Sequence, residues 1–243
     1  MQRIIQIIPM GIDKDRPIYL LKQFPPHKVY FVRNSNPPPQ HKRMEKIVDN
    51  IQREIENLIP LAEKEYIKMD YSDFKQPFIE FLRIMRKEKK DGNRVIVNLS
   101  PPSRIIAFAA WLASSLTDCE AYYIQANVYG LKGEFHSKGV AKMTRVIPFP
   151  IILPDETERK VLEFLLNKKS VRMKLRDMVK LIGVENLGKV KTLQSGIVKM
   201  SYVLRDLKNK GYIEIKSVSR KRQEISLTEA GEIMARAVEI LKN

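Results

Sequence analysis

VNLSPPSRIIAFAAWLASS, running from Val97 to Ser115, passes from a β-rich apolar run through Ser-Pro-Pro-Ser-Arg into a stretch of helical character. Proline has no backbone N–H and is tolerated in the first turn of a helix, where the amides have no intrahelical partner. The junction therefore reads as a strand-to-helix turn. In an open α/β sheet, ligands bind where the C-terminal end of a strand meets a helix N-terminus, and free amides and the helix dipole favour anions there. The helix that follows is apolar nearly all round, with Ile105, Ile106, Phe108, Ala109, Ala110, Trp111, Leu112 and Ala113. A helix with no polar face is buried on both sides. One side is expected on the sheet; the other meets a second subunit or later segments of this chain.

Upstream of that junction the chain alternates strands with helices. Arg3 to Ile8, Lys28 to Arg33, Lys64 to Met69 and Arg94 to Leu99 read as strands. A short helix is expected from Arg16 to Gln23. Met44, Ile47, Val48, Ile51, Ile55, Leu58 and Ile59 form the apolar stripe of a second, and Phe74, Phe78, Phe81, Leu82 and Met85 mark a third. Ala121 to Val128 reads as a fifth strand, and Lys132 to Pro150 as an extended hairpin. Strands alternating with helices over short links give an α/β, Rossmann-like, mainly parallel sheet by the right-handed crossover rule.

Pro148, Pro150 and Pro154 mark a change of style, so residues 1–150 and 151–243 are expected as separate domains. Asp155 with Glu158 can cap a helix to Asn167. Met178, Val179 and Ile182 belong to a short second helix closed by Gly183. A third spans Leu193 to Lys210, with Ile197, Met200, Leu204 and Leu207 inward, and stops at Gly211. Two strands, Tyr212 to Lys216 and Gln223 to Leu227, flank a basic turn, and a Thr-capped helix ends the chain. Helix-turn-helix plus a two-stranded wing is a DNA-binding arrangement whose third helix enters the major groove.

On LRDLKNKGYIEI (Leu204 to Ile215), the basic turn and ISLTEAG (Ile225 to Gly231), this block resembles winged-helix regulators of the MarR, PadR and ArsR type. Gln194, Ser195, Lys199, Tyr202 and Arg205 face away from the expected core and can reach base edges or phosphates. Lys189 and Lys191 precede that helix, and Arg220, Lys221 and Arg222 sit at the wing tip, where basic side chains meet phosphate or the minor groove. Residues 151–243 hold 20 Lys and Arg against 12 Asp and Glu, half of the chain's net charge on 93 of its 243 residues. The open alternative is a winged helix used for dimerisation or protein contact.

The first 150 residues resemble the CARF domain, a Rossmann-like module of CRISPR-associated regulators and nucleases. The likeness rests on IIPMGID (Ile7 to Asp13) and VNLSPPSRIIAFAAWLA (Val97 to Ala113). It implies a homodimer that binds cyclic oligoadenylate across its interface, with Met10, Gly11, Asn98, Ser100, Ser103 and Arg104 lining the ligand site. Where the family pattern has glycines, this chain has Pro101 and Pro102, which remove two amide donors. An anion would rely on the Ser103 and Arg104 amides, the two serine hydroxyls and the Arg104 guanidinium. Helix capping by the serines and a surface ion pair for Arg104 are the other readings. Together the two resemblances imply a ligand-responsive transcriptional regulator of archaeal type.

Composition agrees with a polyanionic partner. The formal charge is +16, from 44 Lys and Arg against 28 Asp and Glu, which points to double-stranded DNA; a lysine-rich solvated surface is the alternative. One cysteine, Cys119, cannot form an internal disulfide. No apolar run reaches the roughly 18 residues of a membrane span, so a cytoplasmic protein with no membrane partner is expected. His27, His41 and His136 are isolated, no ligand spacing suggests a metal, and no cofactor motif is present. The expectation is a protein that is not an enzyme, the alternative being a ring nuclease that cleaves its cyclic ligand.

Overall fold

In a computed structural model of the chain the described residues are 2–38, 42–100, 103–130, 137–168, 170–219 and 222–242. They fall into two compact units, Met1–Ile151 and Ile152–Asn243.

The first unit is built on a six-stranded sheet. β1 (Ile4–Pro9), β2 (Lys28–Asn34), β3 (Glu63–Met69), β4 (Arg94–Asn98) and β5 (Glu120–Gln125) pair in parallel. β6 (Lys142–Val146) runs antiparallel to β5, and the order is β3-β2-β1-β4-β5-β6. The runs IIQII, KVYFV and RVIV are apolar almost without break because both faces of these central strands are covered. β3, EKEYIKM, is an edge strand and carries charge on its open side. This is the mostly parallel, Rossmann-like sheet expected from the alternation of strands and helices.

After β3 the chain returns past β1 to lay β4 on its other side, so β1 and β4 form the switch point. α1 (Asp15–Gln23) and α2 (Lys42–Leu58) enclose a core of Ile8, Met10, Leu21, Phe31, Ile51 and Ile55. α3 (Lys75–Lys90) and α4 (Arg104–Thr117) pack on each other. α4 buries Ile106, Ala109, Ala110 and Ala113. The small alanine side chains allow that close approach.

α4 is covered on one side by α3 and the sheet, while Ile105 and Phe108 are 38% and 62% exposed on the other, the side expected to meet a second subunit or later segments of the chain. The only later segment tied to α4 by described hydrogen bonds is the one after β6, through Trp111 Nε1 to Ile147 O at 3.3 Å and Phe149 N to Ser115 Oγ at 3.3 Å. The extended hairpin expected over Lys132 to Pro150 is instead a pairing of β6 back onto β5, preceded by a bridge between Val128 and Lys138. Leu131 to His136 lie outside the described residues.

The second unit comprises α5 (Glu156–Lys168), β7 (Ser170–Met173), α6 (Leu175–Ile182), a 3-10 turn (Val184–Leu187), α7 (Leu193–Asn209), β8 (Ile213–Ser219), β9 (Arg222–Leu227) and α8 (Glu229–Lys242). Its sheet has the order β7-β9-β8. The fold is a winged helix, as expected, with Leu162, Leu165, Met178, Val179, Met200, Leu204 and Ile225 in its core. α5 opens with the expected capping box: Asp155 N donates to Glu158 Oε2 at 2.9 Å, and Glu158 N to Asp155 Oδ1 at 2.8 Å. Lys210 Nζ, at the end of α7, reaches the same carboxylate at 2.6 Å and ties the two helices. β7 is an element the sequence reading left out.

Candidate functional site

Four parallel strands of the first unit deliver loops to the same end of the sheet, and a cleft of about 670 Å³ opens there. Met10, Gly11, Asp13 and Arg16 come from the β1–α1 connection, Arg33 and Asn34 from the end of β2, Tyr71 and Ser72 from beyond β3, and Ser100 and Ser103 from beyond β4. Tyr71 holds the floor: its hydroxyl donates to Val32 O at 2.6 Å and lies 3.3 Å from Met10 O. Burial pushes its phenol far above the ordinary range, so it stays a neutral donor.

Arg16 spans the switch point. Its Nε donates to Asp13 Oδ2 at 2.7 Å and its Nη1 to Ser100 O at 2.9 Å. Asp13 also accepts from the Ser137 hydroxyl. Both partners of this pair are largely buried, at 13% and 5% exposure, where charge-assisted hydrogen bonds are at their strongest. The sequence reading missed Asp13 and Arg16; the D-x-x-R spacing that directly follows IIPMGI was their signal. Arg33 is likewise paired, to Asp49 at 2.8 Å and Gln52 at 3.1 Å.

The expected ligand residues separate. Met10, Gly11, Ser100 and Ser103 line the cleft. Arg104 is exposed and lines a second cleft of about 620 Å³ with Phe108, Trp111, Tyr123 and Val146, and Ser100 and Ser103 form the wall shared by both. Asn98 lines neither: it is fully buried, and its Oδ1 accepts from Ser100 N at 2.9 Å, shaping the turn from beneath. The serine hydroxyls are committed, Ser100 accepting from Ile124 N at 2.6 Å and Ser103 donating to Tyr71 O at 3.1 Å. Ser103 thus sits at the N-cap of α4 without capping it by its side chain. Pro101 and Pro102 lie outside the described residues.

In the second unit α7 presents its outer face to solvent. Thr192 and Ser195 close a capping box, with Ser195 N donating to Thr192 Oγ1 at 3.2 Å. Ser195 is therefore exposed but engaged in its own helix start. Gln194, Tyr202 and Arg205 are exposed, Lys199 is half-buried, and Lys189 and Lys191 are exposed before the helix. The Arg205 guanidinium lies 4.8 Å from the centre of the Tyr202 ring, a cation–π contact that orders both. Arg222 is exposed at the start of β9; Arg220 and Lys221 lie outside the described residues. Val198 and Ser201 are exposed on the same face and were not named from the sequence. Gly196 brings α7 against α6: a Cβ there would lie 2.9 Å from Val179 Cγ1.

Other chemistry-bearing groups are structural. His27 Nδ1 accepts from Ile4 N at 3.0 Å, and the Cys119 thiol, buried, is pushed up to about 11. His41 and His136 lie outside the described residues, among which no group of three or more His, Cys, Asp and Glu could hold a metal ion. No described helix is long and apolar enough to cross a membrane.

Comparison with known proteins gives two family matches. The model described as "HFX_2341_N:-like, N-terminal" matches residues 4–129, and the "DUF6293 C-terminal winged helix domain" matches residues 157–239. No curated protein matches. Among solved structures, the chain is similar to Csm6 of Enterococcus italicus bound to cyclic hexa-2'-fluoro-hexa-dAMP, at 9% identity and a TM-score of 0.43 over 86% of this chain and 56% of that one. It is similar to Can2 of Sulfobacillus thermosulfidooxidans in complex with cyclic tetra-adenylate, at 14% identity and 0.39 over 98% and 63%. Protein VC1899 of Vibrio cholerae is similar at 12% identity and 0.40 over 98% and 66%. The chain thus spans less than two thirds of the length of each.

Proposed function

The chain belongs to the HFX_2341_N:-like family, whose model spans just over half of it, and from that premise we propose that it is a ligand-responsive, DNA-binding transcriptional regulator. In this reading it is a cytoplasmic homodimer of CARF-like sensors, each carrying a winged helix for double-stranded DNA. The observation that carries the DNA half is α7, whose outer face is free of carboxylates from Gln194 to Arg205; exposed Lys189 and Lys191 precede it in the chain, and Arg222 is exposed at the start of β9. A helix so placed in a winged-helix unit suits the major groove, with lysines on the phosphates.

The ligand is a nucleotide-like anion in the cleft at the switch point, cyclic oligoadenylate being the first candidate, and CRISPR-linked signalling follows if it is that. Arg16 gives a route for the response. It joins Asp13 to the carbonyl of Ser100, so an anion that draws Arg16 away loosens the turn that leads into α4. The ligand then acts by favouring one of two arrangements of the dimer. The protein is read as a sensor and not a catalyst: Ser103 donates its hydroxyl to Tyr71 O, and Ser100 Oγ accepts from Ile124 N, so both side chains serve the backbone around the turn.

The test is fluorescence anisotropy of labelled duplex DNA titrated with the full chain, with and without cyclic tetra-adenylate. Affinity is expected to fall steeply between 50 and 200 mM salt. Exchanging Lys189 and Lys191 for Glu should weaken binding by about tenfold or more at the lower salt, and the ligand should change the affinity. No binding at low salt overturns the DNA reading. Binding that cyclic tetra-adenylate leaves unchanged, with no heat in calorimetry, overturns that ligand.

A further inference from the structure

The outermost row of α7 carries a residue that the fold does not need. Gly196, Met200, Val203, Leu204 and Leu207 form the buried side of the helix. At 3.6 residues per turn, Gln194, Val198, Ser201 and Arg205 form the row on the opposite side, and Val198 stands almost diametrically across from the core. It is 50% exposed. A β-branched apolar side chain there has lower helix propensity than alanine and contributes nothing to the core. Its row carries no carboxylate: exposed Arg205 stands two turns further along it, and exposed Lys189 and Lys191 precede the helix in the chain.

We infer that Val198 reads a thymine and Gln194 an adenine, so that the centre of each DNA half-site is A·T. This rests on the reading that α7 enters the major groove. The thymine C5-methyl is the one apolar group that the four standard bases present there, and a glutamine amide matches the N6 and N7 edge of adenine in bidentate fashion. Gln194 and Val198 are four residues apart on one row, so the two side chains reach neighbouring positions in the groove. Guanine reading calls for an arginine or lysine aimed at the bases. The basic side chains available to this face do not supply one at its centre: Lys199 is half-buried at its flank, and Arg205 is held on the Tyr202 ring at the far end of the row. Those cations serve phosphates, and the neutral pair in the first two turns serves the bases.

The experiment is selection of binding sites from a randomised duplex pool by the full chain, followed by replacement of single thymines in the enriched half-site with deoxyuridine, which lacks only the methyl. A conserved A·T core is expected, with one thymine whose replacement weakens binding about fourfold, the worth of one buried methyl. Val198→Ala should bind thymine- and deoxyuridine-containing sites equally, and its binding to unrelated DNA at low salt should match that of the unsubstituted chain. Alanine is the better helix former, so the variant keeps its fold, which its thermal melt verifies. A G·C core, insensitivity to deoxyuridine at every position, or unaltered discrimination by Val198→Ala overturns the inference while the DNA-binding reading stands. Absence of DNA binding at any salt overturns both.

Discussion

Arg94 and Glu120 show how a single pair sets a dependence on pH. Arg94 Nε and Nη2 reach the two oxygens of Glu120 at 2.6 and 3.0 Å across the start of β4 and β5, and the guanidinium lies 4.9 Å from the centre of the Phe24 ring. The Arg94 hydrogen bonds hold the Glu120 carboxyl below the usual carboxylate range against the opposing effect of burial. A lowered value in the folded state means that the unfolded chain binds more protons, so stability rises with pH across that interval. The contribution is complete above the ordinary glutamate value of about 4.3 and is lost as pH falls through the lowered one. Glu120→Gln is therefore expected to cost about 1–3 kcal/mol at pH 7 and nothing once the Glu120 carboxyl is protonated in the folded and unfolded chains alike, as read from denaturant unfolding of both proteins between pH 7 and 2. An equal cost at both ends would assign the effect to packing. Neither partner was singled out from the sequence: an arginine that opens one strand and a glutamate that opens another become neighbours only through parallel pairing.

Strand and helix identity was legible wherever burial dictated composition. IIQII, KVYFV and RVIV read as strands because both faces of a central strand are covered, and the stripe from Met44 to Ile59 read as a helix because one face is. β7 was not legible: four residues with only Val171 buried carry no period. The pairing of β6 with β5 escaped for another reason, since register between segments is a tertiary property that alternation does not encode. α8 lies between these cases. Its Thr228 cap was read correctly, and Gly231 N donates to Thr228 Oγ1 at 3.0 Å. The seat of the helix was not read: a Cβ on Gly231 would stand 1.8 Å from Tyr212 O, and a glycine with ordinary helical torsions leaves no local sign of such contact. Backbone cannot give way as a side-chain tip can, so Gly231→Ala must lift the start of α8 from the loop before β8. A loss of about 1–3 kcal/mol is expected, with faster amide exchange in α8. Unchanged stability would show that α8 does not rest there.

For the whole molecule the decisive surface is the open side of α4. The sequence shows a helix without a polar face but cannot say which side stays open; the structure leaves Phe108 62% exposed, and the segment tied to Trp111 and Ser115 adds Ile147 at 80% and Phe149 at 66%. These side chains form one apolar surface next to the turn that Arg16 holds. A contiguous patch of that kind marks an interaction site, and a two-fold axis through it would cover the same residues on both copies. The homodimer proposed above thereby links the cleft to α4 and gives the assembly two winged helices, the number a two-fold operator needs. Burying a phenylalanine is worth about 1.5–3 kcal/mol, and each enters twice in a symmetric interface. Replacing Phe108 and Phe149 with Lys should weaken self-association by more than about a hundredfold. Sedimentation velocity should then find a monomer where the unsubstituted chain is a dimer. The monomer should hold a single half-site with unchanged affinity, because α7 is untouched, and lose its preference for paired half-sites. A variant that remains dimeric would move the interface elsewhere, and a monomeric unsubstituted chain would remove the dimer from the mechanism.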